Sequence, residues 1–218
     1  MVRVLLVGDS TVTDDAGWGP GFRARASAGT ECLNHAMSGR SSKSYRDEGL
    51  WEPALATRAD YVLIQFGHND QPGKGPERET DPDGGFAANL ARYVTEARAA
   101  ATQPVLVTSL TRRQFDASGR LNDTLGPYVA ATRRVATDLD VPLVDLYAAS
   151  TRLCEALGRA GCELLSPREP DGSVDTTHLN AEGGLRFGGL VADLAREAVP
   201  GLEPFLPPGA GDRAAVHG

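Results

Sequence analysis

The sequence predicts an α/β fold, a three-layer α/β/α sandwich around a five-stranded parallel sheet. Three observations predict it. Short apolar runs alternate with segments of helical periodicity, the pattern of strands joined by crossover helices. The clearest run, Asp60-Tyr61-Val62-Leu63-Ile64-Gln65-Phe66, is almost continuously apolar, as a parallel strand covered on both faces must be. The runs also stop abruptly at small polar residues, and in open α/β sheets ligands gather beyond the carboxyl ends of the strands.

The first strand begins at Val2 and ends in Gly8-Asp9-Ser10-Thr11. Gly8 suits a sharp exit, and Asp9 can bond nearby backbone and hold the loop that presents Ser10. By itself the triplet also fits an ordinary turn with Ser10 as a cap. Residues 13–21 read as a loop entering a short helix that runs through Ala28, with Trp18 pinning the loop or stacking on a sugar ring. A second strand is expected over 30–36, followed by the small-residue turn Met37-Ser38-Gly39-Arg40-Ser41-Ser42. Residues 51–59 read as a helical turn or loop before the strand at 60–66, which ends in Gly67-His68-Asn69-Asp70.

Residues 71–85 hold three Pro and four Gly among charges and read as an exposed loop. Phe86, Leu90, Val94, Ala97 and Ala101 recur at helical spacing, and a fourth strand follows over 104–110. Residues 111–125, with a Ser118-Gly119 turn, suggest a hairpin-like excursion. Tyr128, Thr132, Val135 and Leu139 mark a helix, 141–146 a fifth strand, and Leu146, Ala149, Leu153, Leu157 and Ala160 a further helix that Gly161 would end. After a long loop at 163–177, Asn180 caps a last helix carrying Phe187, Leu190, Val191 and Leu194. The expected organisation is one domain over 1–200 and a loose Pro/Gly/Ala-rich tail over 201–218. A flavodoxin-like strand order of 2-1-3-4-5 sets the first and third strand ends beside the switch point.

Composition narrows the function classes. With 218 residues, 41% hydrophobic and 23% charged, the chain can bury a sizeable core without staples. A net charge of −7 with scattered basic residues speaks against a nucleic-acid partner. No apolar run is long enough to span a bilayer, so no membrane role is expected. No secretory leader is visible, which reads as a cytoplasmic protein, although a secreted chain trimmed of its leader would look the same. Cys32, Cys154 and Cys162 show no metal-ligand spacing, and a Cys154–Cys162 bridge is conceivable. Oligomeric state is not legible.

Polar groups converge at the strand ends. A serine that performs acyl transfer needs a base to take its proton, and the base needs a partner that fixes its tautomer. Asp175-Thr176-Thr177-His178 supplies both three residues apart, with Asp175 on one ring nitrogen of His178 and Ser10 before the other. The backbone N–H groups of Ser10 and Gly39 and the amide of Asn69 would receive a developing oxyanion. Gly39 would allow close approach of substrate. His35 and His68 read as structural, and His217 lies in the tail. Arg40, Trp18 and Arg112 are candidate substrate contacts that packing or solvation explains equally.

These blocks resemble the SGNH hydrolases, also called the GDSL esterase family. They stand here as Gly8-Asp9-Ser10-Thr11, Asn34-His35-Ala36-Met37-Ser38-Gly39-Arg40-Ser41, Gly67-His68-Asn69-Asp70 and Asp175-Thr176-Thr177-His178-Leu179. The runs at 39–45 and 66–70 look like the rhamnogalacturonan acetylesterase branch. The resemblance implies a nucleophile at Ser10, an oxyanion hole from Ser10, Gly39 and Asn69, the base His178 with Asp175, and neither metal nor organic cofactor. It also implies an acetylated pectic oligosaccharide as substrate. Another acetylated glycan or a small acyl ester or thioester is the alternative, and a silent carbohydrate-binding protein would need a broken triad.

Overall fold

Alternation along each strand decides which side chains go to which face. The structure, a computed structural model, describes residues 1–209; the last nine positions of the expected tail, His217 among them, lie outside the described residues. Five strands form the sheet: β1 (Val2–Gly8), β2 (Thr30–Asn34), β3 (Tyr61–Gln65), β4 (Gln103–Val107) and β5 (Leu143–Val144). All pairings are parallel, in the order β2-β1-β3-β4-β5, as expected. Val4 and Leu6 of β1 enter one core with Leu63, Val105 and Val107, whereas Leu5 and Val7 enter the other with Val62, Ile64 and Leu106. Successive side chains of a strand point to opposite faces, so a sheet buried on both sides must be apolar throughout.

The first core is closed by three helices, α1 (Gly19–Arg25), α6 (Leu146–Glu163) and α7 (Ala181–Ala198), through Phe22, Cys154 and Phe187. The second is closed by α2 (Ser44–Asp47), α3 (Trp51–Leu55), α4 (Ala87–Ala99) and α5 (Gly126–Asp138), through Tyr45, Trp51, Tyr93 and Tyr128. Each buried aromatic or aliphatic side chain contributes about 1.5–3 kcal/mol. The sandwich is therefore held on both faces by the same periodicity that made it legible.

Several boundaries differ from the sequence expectation. The fourth strand stops at Val107; Thr108 N still donates to Val144 O (3.1 Å), while its hydroxyl turns to the Asp145 carboxylate (3.0 Å). The loop at 71–85 ends in one π-helical turn, Pro82–Phe86, capped by Asp81 accepting from Gly84 N (2.7 Å). Gly161 does not end α6; the break falls at Gly158, where φ is +65°, a region open to glycine without strain. The expected loose tail is corrected over its first residues: a 3₁₀ helix, Pro200–Phe205, buries Leu202, and Leu206 is buried just beyond it. The hairpin-like excursion is present as an antiparallel bridge between Phe115 and Leu121. Cys154 and Cys162 are free thiols, both buried.

The packing of α1 on α7 brings together segments far apart in the sequence. It depends on glycines at the contact. A Cβ on Gly188 would lie 2.3 Å from Trp18 O and 2.4 Å from Phe22 N, and one on Gly21 would lie 2.2 Å from Gly184 O. Backbone atoms cannot move aside as side-chain ends can, so Gly188→Ala should cost about 1–3 kcal/mol of stability despite alanine's better helix propensity. Gly189 is the control, because its Cβ would meet only Arg25 Nη1 at 3.5 Å. Urea unfolding of the two variants is expected to show a clear loss for Gly188→Ala and none for Gly189→Ala; equal midpoints would refute the close-approach argument.

Candidate active site

Ser10 follows the carboxyl end of β1, and His178 precedes the N-cap of α7. Their loops are joined directly, since Leu179 N donates to Ala16 O (2.9 Å). His178 Nε2 lies 2.8 Å from Ser10 Oγ, and His178 Nδ1 lies 2.6 Å from Asp175 Oδ2. With Nδ1–H donating to the carboxylate, Nε2 keeps its lone pair for the serine proton. Asp175 Oδ1 accepts from the backbone N–H of Thr177 (2.8 Å) and His178 (3.0 Å). Burial acts to raise the Asp175 carboxyl, but those two N–H groups and the imidazole outweigh it and hold it below the usual carboxylate range. Asp175 is thus an anion at neutral pH, fit to orient an imidazole and to stabilise its charged form.

The oxyanion candidates converge from three loops. Gly39 sits at φ +78°, and a Cβ there would meet nothing within 4 Å. The backbone conformation by itself favours glycine here, and no atom of the described residues fills the space that the sequence reading leaves for substrate. Asn69 Nδ2 donates to Arg40 O (3.1 Å), which fixes the amide beside the Gly39 turn. The N–H groups of Ser10 and Gly39 meet no acceptor among the described residues. Donors held in place yet unpaired can receive developing negative charge without reorganising.

A buried polar frame holds these loops. Asp9, fully buried, accepts from Thr11 N (2.9 Å) and Thr11 Oγ1 (2.7 Å), and its other oxygen faces His68 Nδ1 at 3.3 Å without hydrogen-bond alignment. Burial acts to raise the Asp9 carboxyl; the His68 ring and Thr11 bring it below the usual range. Thr11 Oγ1 accepts from Gln65 Nε2 (2.6 Å), and Gln65 Oε1 accepts from Trp18 Nε1 (2.9 Å). Trp18 is fully buried and pins its loop, so the alternative of a sugar-stacking tryptophan is excluded. His68 is buried with Nε2 3.0 Å from Leu110 O, a structural role as expected.

Of the other candidate contacts, Arg112 is committed inside the protein, its Nη1 donating to Gln71 Oε1 (2.6 Å) and Thr124 Oγ1 (3.0 Å). Arg40 pairs with Glu48 at 2.7 Å. His35 offers its carbonyl to Tyr45 Oη (2.7 Å). Sequence reasoning missed Gln65, Asp70 and Arg113. A polar residue closing an apolar strand was the available signal for Gln65; an arginine pair in a polar loop gave none for Arg113. Among the described residues, no three His, Cys, Asp or Glu side chains form a set that would hold a metal ion.

Residues 6–184 match the GDSL-like lipase/acylhydrolase family. The chain belongs to that family. Its members hydrolyse carboxylic esters, and the chain is a carboxylic ester hydrolase. It is 40% identical over 210 residues to the rhamnogalacturonan acetylesterase RhgT of Bacillus subtilis, covering 88% of each chain. Two solved structures share the fold. One is protein YXIM of Bacillus subtilis, with a TM-score of 0.78 and 22% identity over 90% of this chain, which spans only 56% of that protein's solved chain. The other is the acetylxylan esterase Axe2 of Geobacillus stearothermophilus, with a TM-score of 0.68 and 18% identity over 91% of this chain and 94% of the other.

Asp70 links the Gly39 and Asn69 loops. Its carboxylate accepts from Ser42 N (3.1 Å), Ser42 Oγ (2.5 Å) and Thr80 Oγ1 (2.8 Å). Burial nevertheless pushes this carboxyl up to about 6, against the pull of those hydrogen bonds. Below about pH 3 the group is protonated in both folded and unfolded chains. As pH rises toward about 6 the unfolded chain loses the proton first, so the folded state binds more protons and stability falls with pH. Urea unfolding at pH 4.5 and 7 should show wild type losing about 2 kcal/mol relative to Asp70→Asn over that interval, the larger part of the free energy equivalent of the shift. A pH-independent difference between the two proteins would remove the buried-carboxyl assignment.

Proposed function

We propose that the chain is a serine acetylesterase acting on acetylated pectic, rhamnogalacturonan-type oligosaccharides through an acyl-enzyme at Ser10. The observation that carries the chemistry is the continuous hydrogen-bonded line from Ser10 Oγ through His178 to Asp175. The substrate class is supported by 40% identity to a protein named a rhamnogalacturonan acetylesterase. Thr13 Oγ1 donates to Ser10 O (2.8 Å), and a hollow at that loop is lined by the polar Thr13, Asp14, Asp15, Asn34 and Ser38 together with the apolar Ala36 and Met37.

In this reading Ser10 Oγ attacks the acetyl carbonyl carbon as its proton passes to His178 Nε2. The carbonyl oxygen becomes an oxyanion held by the N–H groups of Ser10 and Gly39 and by Asn69 Nδ2. The tetrahedral centre collapses, the C–O bond to the sugar breaks, and the sugar oxygen takes the proton from His178 Nε2. Water then gives a proton to His178 and attacks acetyl-Ser10. Acetate leaves, and the proton returns to Ser10 Oγ. Asp175, with three donors on its oxygens, stays ionised throughout and stabilises the imidazolium.

Ser10→Ala should fold normally and lose nearly all hydrolysis of an aryl acetate; retained activity would sink the nucleophile assignment. Asn69→Ala should lower kcat by about a hundred- to thousand-fold with little change in KM. A defect confined to KM would make Asn69 a binding residue instead.

The substrate claim is tested by acetate release from acetylated rhamnogalacturonan oligosaccharides alongside aryl esters of varied chain length. Acetate esters should exceed octanoate esters in kcat/KM by at least about tenfold, a difference of about 1.4 kcal/mol at the transition state. Equal cleavage of octanoate with no acetate released from the oligosaccharides would leave only a general esterase.

A further inference from the structure

We infer that Arg113 is a positioning residue for the acid–base loop, holding His178 in register with Ser10; the inference rests on the catalytic reading above. Arg113 is almost fully buried, 3% exposed, in the segment that follows β4. Its backbone N–H donates to Thr176 O (2.8 Å). Its guanidinium donates to Asp175 O (3.5 Å), Thr177 O (3.4 Å) and His178 O. One residue therefore holds four successive carbonyls, those of Asp175, Thr176, Thr177 and His178. These are the residues whose side chains and N–H groups set the acid and the base.

The arginine is itself fixed. Nε donates to Ser166 Oγ (2.8 Å), and Ser166 Oγ donates to Cys162 O (3.0 Å) in α6. The guanidinium lies 6.0 Å from the centre of the Phe187 ring in α7. The loop is thus tied to both helices that flank it.

Among the described residues, no carboxylate oxygen is a hydrogen-bond partner of the guanidinium. A buried cation with no hydrogen-bonded anion is costly; the Asp175 carboxylate acts on it only through space, and carbonyl dipoles offset the rest of the cost only when several converge on it. A planar fork with five N–H donors can serve carbonyls along a turn at once, whereas a lysine ammonium offers three donors at one point. The arrangement is needed because misplacing a reacting group by about 1 Å can cost about a hundredfold in rate.

The test is a double-mutant cycle on aryl acetate hydrolysis with Arg113→Lys and His178→Ala. Arg113→Lys keeps a cation in the site and removes the fork. In the wild-type background it should lower kcat by about thirtyfold or more with KM changed by less than about threefold, and in the His178→Ala background it should change residual turnover by less than about threefold. Equal losses in both backgrounds, a loss confined to KM, or no loss would overturn the inference. A fully active His178→Ala enzyme would instead overturn the catalytic reading, and this inference with it.

If Arg113→Lys does not fold by circular dichroism, Ser166→Ala takes its place in the cycle. It removes one anchor of the guanidinium and should lower kcat by about three- to tenfold only where His178 is present. A Ser166→Ala effect of the same size without His178, or none with it, counts against the role.

Discussion

The contact between Ser10 Oγ and His178 Nε2 spans 168 residues of sequence, and it exists only because α1 and α7 pack with their backbones nearly touching. Ser10 precedes α1 and His178 precedes α7, so the spacing of those helices fixes the spacing of the two side chains. Gly21 and Gly188 set that spacing, since any side chain at either would meet backbone of the facing helix. A 2.8 Å hydrogen bond leaves little tolerance. The closeness of the helices is then a condition of the Ser10–His178 contact as well as of the core.

A second constraint lies beneath the loops. Five polar side chains, Trp18, Gln65, Thr11, Asp9 and His68, run behind the serine and link β1, β3 and the loop entering α1. Each would be expensive to bury alone, and most polar atoms in the line have a partner. The exceptions are Asp9 Oδ2 and His68 Nδ1, which face each other at 3.3 Å. Such a frame gives loops a single arrangement where apolar packing would allow several. That explains how short strand-end segments, with little core of their own, can hold donors in fixed positions.

The strand order and the site's residue types were legible in the sequence because both rest on local pattern. Val4 to Val7 and Val62 to Ile64 show their burial directly, and Ser10, Asn69 and His178 each stand where a periodic segment begins or ends. What escaped rests on tertiary context. Gly158 rather than Gly161 breaks α6, and nothing local separates two glycines three residues apart. The segment after Pro200 reads as loose by composition, yet Leu202 and Leu206 find an apolar site against the first core. Trp18 could stack on a ligand or support a loop until Gln65 Oε1 was placed beside its ring nitrogen.

The two arginines after β4 were the least legible of all, because their meaning lies in what they reach. Arg112 directs its guanidinium to Gln71, Thr124 and His68 O (3.5 Å), on the side of the site that carries Asn69. Arg113 directs its own to the carbonyls of the loop that carries His178. Neither has a carboxylate as hydrogen-bond partner, and burial lowers both guanidinium groups from their usual range, though arginine stays charged in proteins. Two adjacent buried cations repel each other, so the pair carries a cost that a purely structural loop could avoid with neutral side chains. Its return is geometric: one dipeptide anchors both the donor loop and the acid–base loop to the same sheet edge, and their separation is set by a chain segment two residues long.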